Sequence, residues 1–229
     1  MSTQACTSEA LVTGVNGNVV TVEIGEGSVI KNEVAYVCVG EERLKAEVLR
    51  ILGRSADLQV FEETQGVKVG DRVEFTGEML SVALGPGLLG TIYDGLQNPL
   101  KTLADLDGFF LRRGRYVDAL DPQHQWAFTP VRRAGEKVRA GDTLGTVKER
   151  HVVHKIMVPF AEPGELELTS IQSGSYSVTE PVARVRDAAG RQRDLTMTQT
   201  WPVRRPLPTL MLQRRLAERM DYPVPVVDA

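Results

Sequence analysis

The chain has 229 residues, of which 42% are hydrophobic and 25% are charged, and its formal net charge is −3. This composition is that of an ordinary soluble globular protein of one or two domains, long enough to bury a hydrophobic core. The 27 lysines and arginines are outnumbered by 30 aspartates and glutamates, so no cationic excess favours binding to nucleic acid.

The sequence also bears on the compartment of the protein and on the state of its cysteines. The N-terminal residues have neither the basic start nor the apolar core of a signal peptide, and no apolar run approaches the roughly 18 residues that a membrane span needs. Cys6 and Cys38 lie far apart and form no Cys-x-x-Cys pair, so free thiols are favoured over the alternative of one disulfide. We therefore expect a cytoplasmic protein without direct membrane insertion.

Residues 1–78 predict a six-stranded β-barrel. Short runs rich in valine and isoleucine follow one another, and glycine, asparagine or aspartate separates most of them. These runs are 10–15, 17–24, 33–40, 45–52, 56–63 and 71–78. Their spacing of roughly ten residues is typical of a compact closed barrel.

Residues 79–108 differ in texture and are predicted to be a junction. One further strand is expected at 79–84, and apolar spacing across 92–103 predicts at least one helical turn, interrupted by Asn98-Pro99. The junction has more apolar side chains than a solvated linker carries: Met79, Leu80, Val82, Leu84, Leu88, Leu89, Ile92, Leu96 and Leu100. Because burying each is favourable, self-association of the chain is the preferred outcome over packing against its own domains.

Residues 109–195 return to β texture and predict a second, barrel-sandwich-like domain. The candidate strands lie in 126–131, 136–149, 151–160, 164–171, 174–185 and 193–201. Gly70-Asp71 and Gly141-Asp142 stand in similar contexts, which indicates a shared turn in the two β-rich regions. The predicted fold class is thus mainly β with few helices.

Residues 196–229 are predicted to be a proline-rich linker, a short helix and a tail. Proline fixes its own φ and keeps the preceding residue out of the helical region, so the prolines after Trp201 favour extended chain. Leu212, Leu216 and Met220 would share one face of the short amphipathic helix that follows.

Residues 85–90, Gly-Pro-Gly-Leu-Leu-Gly, satisfy the Gly-x-Gly-x-x-Gly pattern of dinucleotide-binding loops. However, Pro86 removes a backbone donor, Asn98-Pro99 would stop the required helix early, and no Val/Ile-rich parallel strand follows. The favoured interpretation is a tight turn whose glycines adopt positive φ, with no cofactor. A P-loop is excluded from these residues, because no glycine is followed by lysine.

The histidines suggest neither a metal site nor a catalytic site. His151 and His154, at i and i+3 in a strand-like segment, would lie on opposite faces of that strand. No cysteine or further histidine stands near them to complete a zinc site, and no nucleophile–histidine pair can be named. No catalytic, cofactor-binding or metal-ligating residue is therefore predicted.

Lys155 admits one alternative. A lysine between apolar residues, after strands of the Gly-Asp-x-Leu type, is similar to the modified lysine of biotinyl and lipoyl carrier domains. Those domains present their lysine on a hairpin turn, whereas Lys155 is predicted to lie inside a strand. The similarity is closer for the fold of residues 114–185 than for the modification.

A set of motifs taken together resembles one family. They are LGPGLLGTIYDGLQNPL at 84–100, FFLRRG at 109–114, WAFTP at 126–130, GDTLGTVKE at 141–149, HKIMVP at 154–159 and LTMTQTWPVRRPLP at 195–208. In order over about residues 8–208, the chain resembles the N-terminal part of the catalytic A subunit, or alpha chain, of V-type and A-type ATPases. The related F-type subunits carry a looser version of the first motif.

The resemblance implies an architecture and partners. Residues 1–78 would be the N-terminal barrel, residues 109–190 the β-rich bulge peculiar to A subunits, and the glycines at 85–90 the entry to the nucleotide domain. The partners would be the B subunit and peripheral stalk subunits, in a complex peripheral to the membrane.

The resemblance also sets the expected activity. The full subunit of the family binds ATP and Mg and couples ATP synthesis or hydrolysis to proton or sodium transport. Its P-loop and general base have no counterparts among these 229 residues, so this chain alone is expected to be inactive, to bind no cofactor and to act by assembly. A stand-alone carrier or binding module of the biotinyl or lipoyl type is the alternative.

Overall fold

A computed structural model describes residues 8–108 and 112–207. The fold is mainly β, as the sequence predicts, and the described residues contain a single α-helix, α1, at Leu100–Asp107. The strands are β1 Ser8–Asn16, β2 Val19–Ile24, β3 Glu33–Val39, β4 Glu42–Leu52, β5 Ser55–Val60, β6 Arg72–Met79, β7 Ser81–Leu84, β8 Trp126–Pro130, β9 Lys137–Arg139, β10 Thr143–Glu149, β11 Val152–Met157, β12 Glu165–Ile171, β13 Gly174–Tyr176, β14 Ala183–Arg186, β15 Gln192–Leu195 and β16 Gln199–Pro202.

The chain divides into two compact units. The described residues of the first, here called the barrel unit, are 8–82, 91–108, 112–119 and 202–204. Those of the second, the sandwich unit, are 83–90, 120–201 and 205–207. Residues of the predicted junction thus occur in both units, and the domain boundaries proposed from the sequence stay a prediction.

The barrel unit contains the closed six-stranded barrel that the sequence predicts, in the order β1-β2-β5-β4-β3-β6. Alternation along β2 shows why the sequence folds this way: Val20, Val22 and Ile24 point inward, and Thr21 and Glu23 alternate with them. The barrel interior is filled with buried aliphatic side chains and Phe75. Burying one large apolar side chain is worth roughly 1.5–3 kcal/mol, so this interior is the main source of the unit's stability.

The sandwich unit is built from two four-stranded sheets, in the orders β11-β10-β8-β13 and β15-β14-β12-β9. Phe128, Leu144 and Ile156 from the first sheet share one core with Leu166 and Val185 from the second. This arrangement confirms the predicted barrel-sandwich-like fold.

Residues 94–98 of the barrel unit form a local set of hydrogen bonds. The side chain of Asp94 accepts hydrogen bonds from the backbone N–H groups of Leu96, at 2.9 Å, and Asn98, at 2.7 Å. Helix α1 begins after Pro99. Of the segment 92–103 with helical spacing, only residues 100–103 are therefore helical. Ile92 lies outside the helix and is 74% exposed.

The apolar side chains of the junction are less exposed than the sequence suggests. Leu89 and Ile92 are exposed, whereas the other seven are partly buried: Met79, Leu80, Val82, Leu84, Leu88, Leu96 and Leu100. β7 pairs with β16 in a two-stranded sheet. The expectation that these side chains need cover from a second molecule therefore applies to only two of them.

Several sequence predictions fall outside the described residues. They are those for Cys6 and for the amphipathic helix with Leu212, Leu216 and Met220. No helix within residues 8–108 and 112–207 combines the length and the apolar character needed to cross a membrane.

Candidate functional site

The glycine loop at residues 85–90 is the feature that most directly suggests a ligand. Gly87 and Gly90 have φ angles of 108° and 77°, in the left-handed region that favours glycine. Gly85 is needed for a different reason: a Cβ there would lie 3.0 Å from Leu120 Cδ1 and 3.2 Å from the carbonyl oxygen of Met197. The structure confirms a tight turn with positive φ at two of the glycines.

Two amide donors of this loop are already occupied. The backbone N–H groups of Gly87 and Leu89 both donate to Oε1 of Glu149, at 2.7 and 3.0 Å. Glu149 ends strand β10 and is only 2% exposed. These two amides, which a phosphate cradle would turn toward its ligand, are bound to the chain's own carboxylate. That the loop binds no nucleotide stays a prediction.

His154 completes the surroundings of this carboxylate. Its Nδ1 lies 2.7 Å from Oε2 of Glu149, and the β10–β11 hairpin brings the two residues together. With Glu149 ionised, Nδ1–H is the donor in this contact, because an ionised carboxylate only accepts hydrogen bonds. Sequence reasoning treated His154 as a polar strand residue and missed the pair.

A sequence signal for the buried glutamate exists. Glu149 follows the buried Val147 by two residues in a strand, so it lies on the same inward face. A carboxylate at such a position needs partners, because burying a charge without them is costly. The pattern alone does not say which groups these partners are.

His151 differs from its predicted place. It occupies the turn before β11, whose first residue is Val152, so the expected arrangement of both histidines on opposite faces of one strand is wrong. Arg150, with φ at 53°, makes the hairpin turn with it. The pairing of β10 with β11 reaches Glu149 and Val152, which lie opposite each other on either side of this two-residue turn.

Lys155 lies within β11, opposite Thr146 of β10. The hairpin turn is at residues 150 and 151 instead. The position of Lys155 agrees with the strand predicted from the sequence and differs from the turn at which carrier domains present their lysine.

A second buried carboxylate lies in the barrel unit and binds Arg204. Glu47 on β4 is buried, and Arg204 binds it through two of its three guanidinium nitrogens, with Nε 2.9 Å from Oε1 and Nη2 2.8 Å from Oε2. Such bidentate pairs add geometric specificity to charge attraction. The hydrogen bond to Glu47 raises the already high pKa of Arg204, so the pair stays charged on the arginine side.

A third polar cluster holds residues 114–116 within the barrel unit. The hydroxyl of Tyr116 donates to Oε2 of Glu62 and accepts from the N–H of Lys45, both at 2.8 Å. The N–H of Gly114 donates to Oε1 of the same glutamate at 2.9 Å. Burial raises the pKa of Tyr116 and lowers that of Lys45, whose ammonium lies 4.7 Å from the centre of the Tyr116 ring.

The three clusters share one feature, which is that their carboxylates are hydrogen-bonded internally. In each, carboxylate oxygens accept hydrogen bonds from backbone or side-chain donors of the same unit. Within the described ranges, 8–108 and 112–207, no group of three or more His, Cys, Asp and Glu is arranged to hold a metal ion. That the chain has no catalytic, cofactor-binding or metal-ligating residue stays a prediction.

Comparison with known families agrees with both folds. Residues 12–77 match the ATP synthase alpha/beta family, beta-barrel domain, and residues 117–204 match the ATP synthase alpha/beta subunit barrel-sandwich domain. The two matched stretches follow the same order as the two folds described above.

Individual relatives are similar over most of the chain. The V-type ATP synthase alpha chain 1 of Treponema pallidum is 55% identical over 201 residues, which are 87% of this chain and 34% of the relative. The V-type ATP synthase alpha chain of Treponema denticola is 52% identical over 195 residues, 85% of this chain and 33% of the relative. That of Borreliella burgdorferi is 49% identical over 197 residues, 86% and 34%.

The chain spans about a third of the length of these relatives. The fold, the two matched domains and the sequence identity to these proteins all indicate the same family. The chain therefore belongs to the ATP synthase alpha/beta family, and it corresponds to the barrel and barrel-sandwich domains of V-type ATP synthase alpha chains.

Proposed function

We propose that the chain is the N-terminal, non-catalytic portion of the catalytic A subunit of a V/A-type rotary ATPase or ATP synthase. In the full subunit, ATP synthesis or hydrolysis would be coupled to proton or sodium transport. These residues contribute by assembly with the B subunit and peripheral stalk subunits, on the cytoplasmic side and peripheral to the membrane.

The observation that carries this proposal is the internal occupation of the glycine loop. In a chain so similar to alpha chains of V-type ATP synthases, residues 85–90 are the one stretch with a nucleotide-loop pattern. Their amides at Gly87 and Leu89 bind Glu149, and no Gly-Lys pair provides a P-loop elsewhere in the 229 residues. ATP and Mg would therefore be bound by other parts of the full subunit.

A calorimetric titration tests the non-catalytic role. Mg-ATP added to millimolar concentration should give only the heat of dilution, because the phosphate cradle of amides and lysine is missing from these residues. The control is the full-length A subunit under the same conditions. A saturable isotherm for the chain alone would refute this part of the proposal.

Assembly is tested by native mass spectrometry of the chain mixed with the B subunit of the same complex. We expect a stoichiometric complex. The variant Leu58→Asp should not form it, because a charge in the barrel core unfolds the barrel unit. If the wild-type chain and this variant bind equally, the interaction does not depend on the folded barrel.

A mass measurement on protein isolated from cells separates assembly from the carrier alternative. The position of Lys155 inside β11 leads us to expect an unmodified chain. A biotinyl or lipoyl adduct on Lys155 would support the carrier function instead.

We further propose that the isolated chain associates weakly with itself. The exposed side chains of Leu89, Ile92 and Leu106 motivate this, since apolar surface tends to find a partner. Light scattering over a hundredfold dilution should show the mass falling toward that of a monomer. A constant monomer mass at every concentration would refute self-association.

A further inference from the structure

The surroundings of Glu149 provide three hydrogen-bond donors around one carboxylate. Oε1 accepts from the amides of Gly87 and Leu89, at 2.7 and 3.0 Å, and Oε2 lies 2.7 Å from Nδ1 of His154. The donors come from two places in the chain, a glycine loop and a strand of a hairpin, and meet at a side chain that is almost completely buried. Both oxygens of the carboxylate therefore have a hydrogen-bond partner.

Another buried glutamate shows what is particular about this arrangement. In the barrel unit, Glu33 is also buried, and its two oxygens accept one backbone N–H each, from Ile30 at 2.8 Å and from Gly77 at 2.5 Å. Within the part of the chain that the structure describes, no histidine forms a hydrogen bond with Glu33. Glu149 has one more donor, and that donor is an imidazole that can carry a positive charge.

We propose that the amides of Gly87 and Leu89 together with His154 form a carboxylate-binding site, which Glu149 fills from within the same chain. The site should accept a free monocarboxylate when the Glu149 carboxylate is removed. In Glu149→Ala the alanine keeps Cβ, and acetate supplies a methyl group and a carboxylate in place of Cγ, Cδ and the two oxygens. This inference does not depend on the proposed role in assembly.

Amide hydrogen exchange in the full 229-residue chain provides the test. In Glu149→Ala the amides of Gly87 and Leu89 lose this acceptor, so their exchange should become faster than in wild type. Acetate should slow it again and do so saturably, by about tenfold when acetate is present at ten times its dissociation constant. Sodium chloride at the same ionic strength should have no such effect.

The size of the added acid sharpens the test. Propionate carries one methylene more than the space left by the substitution, and a close-packed interior accommodates extra volume poorly. We therefore expect acetate to slow the exchange of Gly87 and Leu89 more than propionate does at equal concentration. Equal effects of the two acids would point to a general action of carboxylate salts and overturn the proposal.

Two matched variants identify the donors. In Glu149→Ala combined with His154→Ala, acetate should bind more weakly, because one of three donors is gone. In Glu33→Ala, acetate should leave the exchange of Ile30 and Gly77 nearly unchanged, since the described donors to Glu33 are two backbone amides without an imidazole. Equal rescue in Glu33→Ala and Glu149→Ala, or no effect of acetate in Glu149→Ala, would overturn the proposal.

If Glu149→Ala does not fold, Glu149→Asp is the variant to use in the exchange experiment. Aspartate keeps the charge but is one methylene shorter, so it cannot reach the donors of the loop and the histidine together. The exchange of Gly87 and Leu89 should then be faster than in wild type. Wild-type exchange in this variant would show that the two amides do not depend on the position of the carboxylate.

Discussion

The barrel unit and the sandwich unit use the same turn in different surroundings. In the barrel unit, Asp71 accepts the N–H of Lys68 through Oδ2 at 2.7 Å, and Gly70 has a φ of 93°. In the sandwich unit, Asp142 accepts the N–H of Arg139 through Oδ2 at 2.8 Å, and the glycine before it has a φ of 83°. The shared Gly-Asp turn predicted from the sequence is confirmed, and both turns contain the same hydrogen bond from a backbone N–H to the aspartate.

The residue before the glycine differs between the two turns. Val69 is 71% exposed, whereas Ala140 is 9% exposed. A Cβ on Gly70 would have no neighbour within 4 Å, whereas one on Gly141 would meet the ring of Phe160 at 3.6 Å. The local sequence thus determines the shape of the turn, and the fold around it determines how much packing depends on it.

The largest expected effect concerns the two cores. Leu58→Ala in the barrel and Leu166→Ala in the sandwich remove fully buried side chains and should each lower the free energy of unfolding by about 2–5 kcal/mol. If the units fold independently, each substitution should shift only its own transition in differential scanning calorimetry. A single transition that both substitutions shift equally would show that the units unfold as one.

Independent folding can also be examined directly. A protein comprising residues 109–195 should give dispersed amide resonances and melt cooperatively, because the strands β8 to β15 lie within it with most of their own core. Collapsed resonances would mean that the sandwich needs residues outside this range, such as Met197, which belongs to the same core.

The next largest effect uses the difference between the turns. Ala140→Leu should destabilise the sandwich unit by about 1–3 kcal/mol, because extra volume at a buried position forces neighbouring side chains apart. Val69→Leu, at the equivalent exposed position, should change stability by at most about 0.5 kcal/mol. Equal effects in chemical denaturation would remove the distinction between the two turns.

The aspartates should behave alike, since their hydrogen bonds are local to the turn. Asp71→Ala and Asp142→Ala each remove an acceptor for a backbone N–H, and losing a comparable bond at a helix cap costs about 1 kcal/mol. The matched variants Asp71→Asn and Asp142→Asn keep an acceptor oxygen and should cost less. A much larger loss at Asp142 would mean that its role extends beyond the turn.

How much the sequence could predict depends on how far apart the interacting residues lie. The barrel strands follow from alternation and turn residues that are close in sequence, such as those along Val19–Ile24. Glu149 and Gly87 are 62 residues apart, and Arg204 and Glu47 are 157 apart. Backbone amides leave no side-chain signature, so the contact that fills the glycine loop became visible only in the folded chain.

The smallest effects come from ion pairs between neighbouring strands, and one such pair from each unit allows a comparison. In the barrel, the Nε of Arg50 donates to Oδ2 of Asp57, whose side chain is 13% exposed. In the sandwich, Arg184 binds Asp194, whose side chain is 41% exposed. Hydrogen bonds from the arginines lower the pKa of both aspartates.

The direction of the pH dependence follows from that lowering. An unfolded aspartate titrates near pH 3.9, so an aspartate with a lower pKa in the folded state binds fewer protons there. Its stabilising contribution is present above about pH 4 and is lost as the pH falls through the folded pKa. Arg50→Gln should therefore reduce stability at pH 7 by at most about 1 kcal/mol, because the arginine is 68% exposed, and by less near pH 2.

Denaturation at several pH values measures this difference for both pairs. The loss in Arg50→Gln should shrink from pH 7 to pH 2 and also shrink at high salt, which screens exposed charges. Arg184→Gln should show the same trend with a smaller loss, since its aspartate is better solvated. A loss that stays constant over this pH range would show that Arg50 acts through packing of its aliphatic chain rather than through the charge of Asp57.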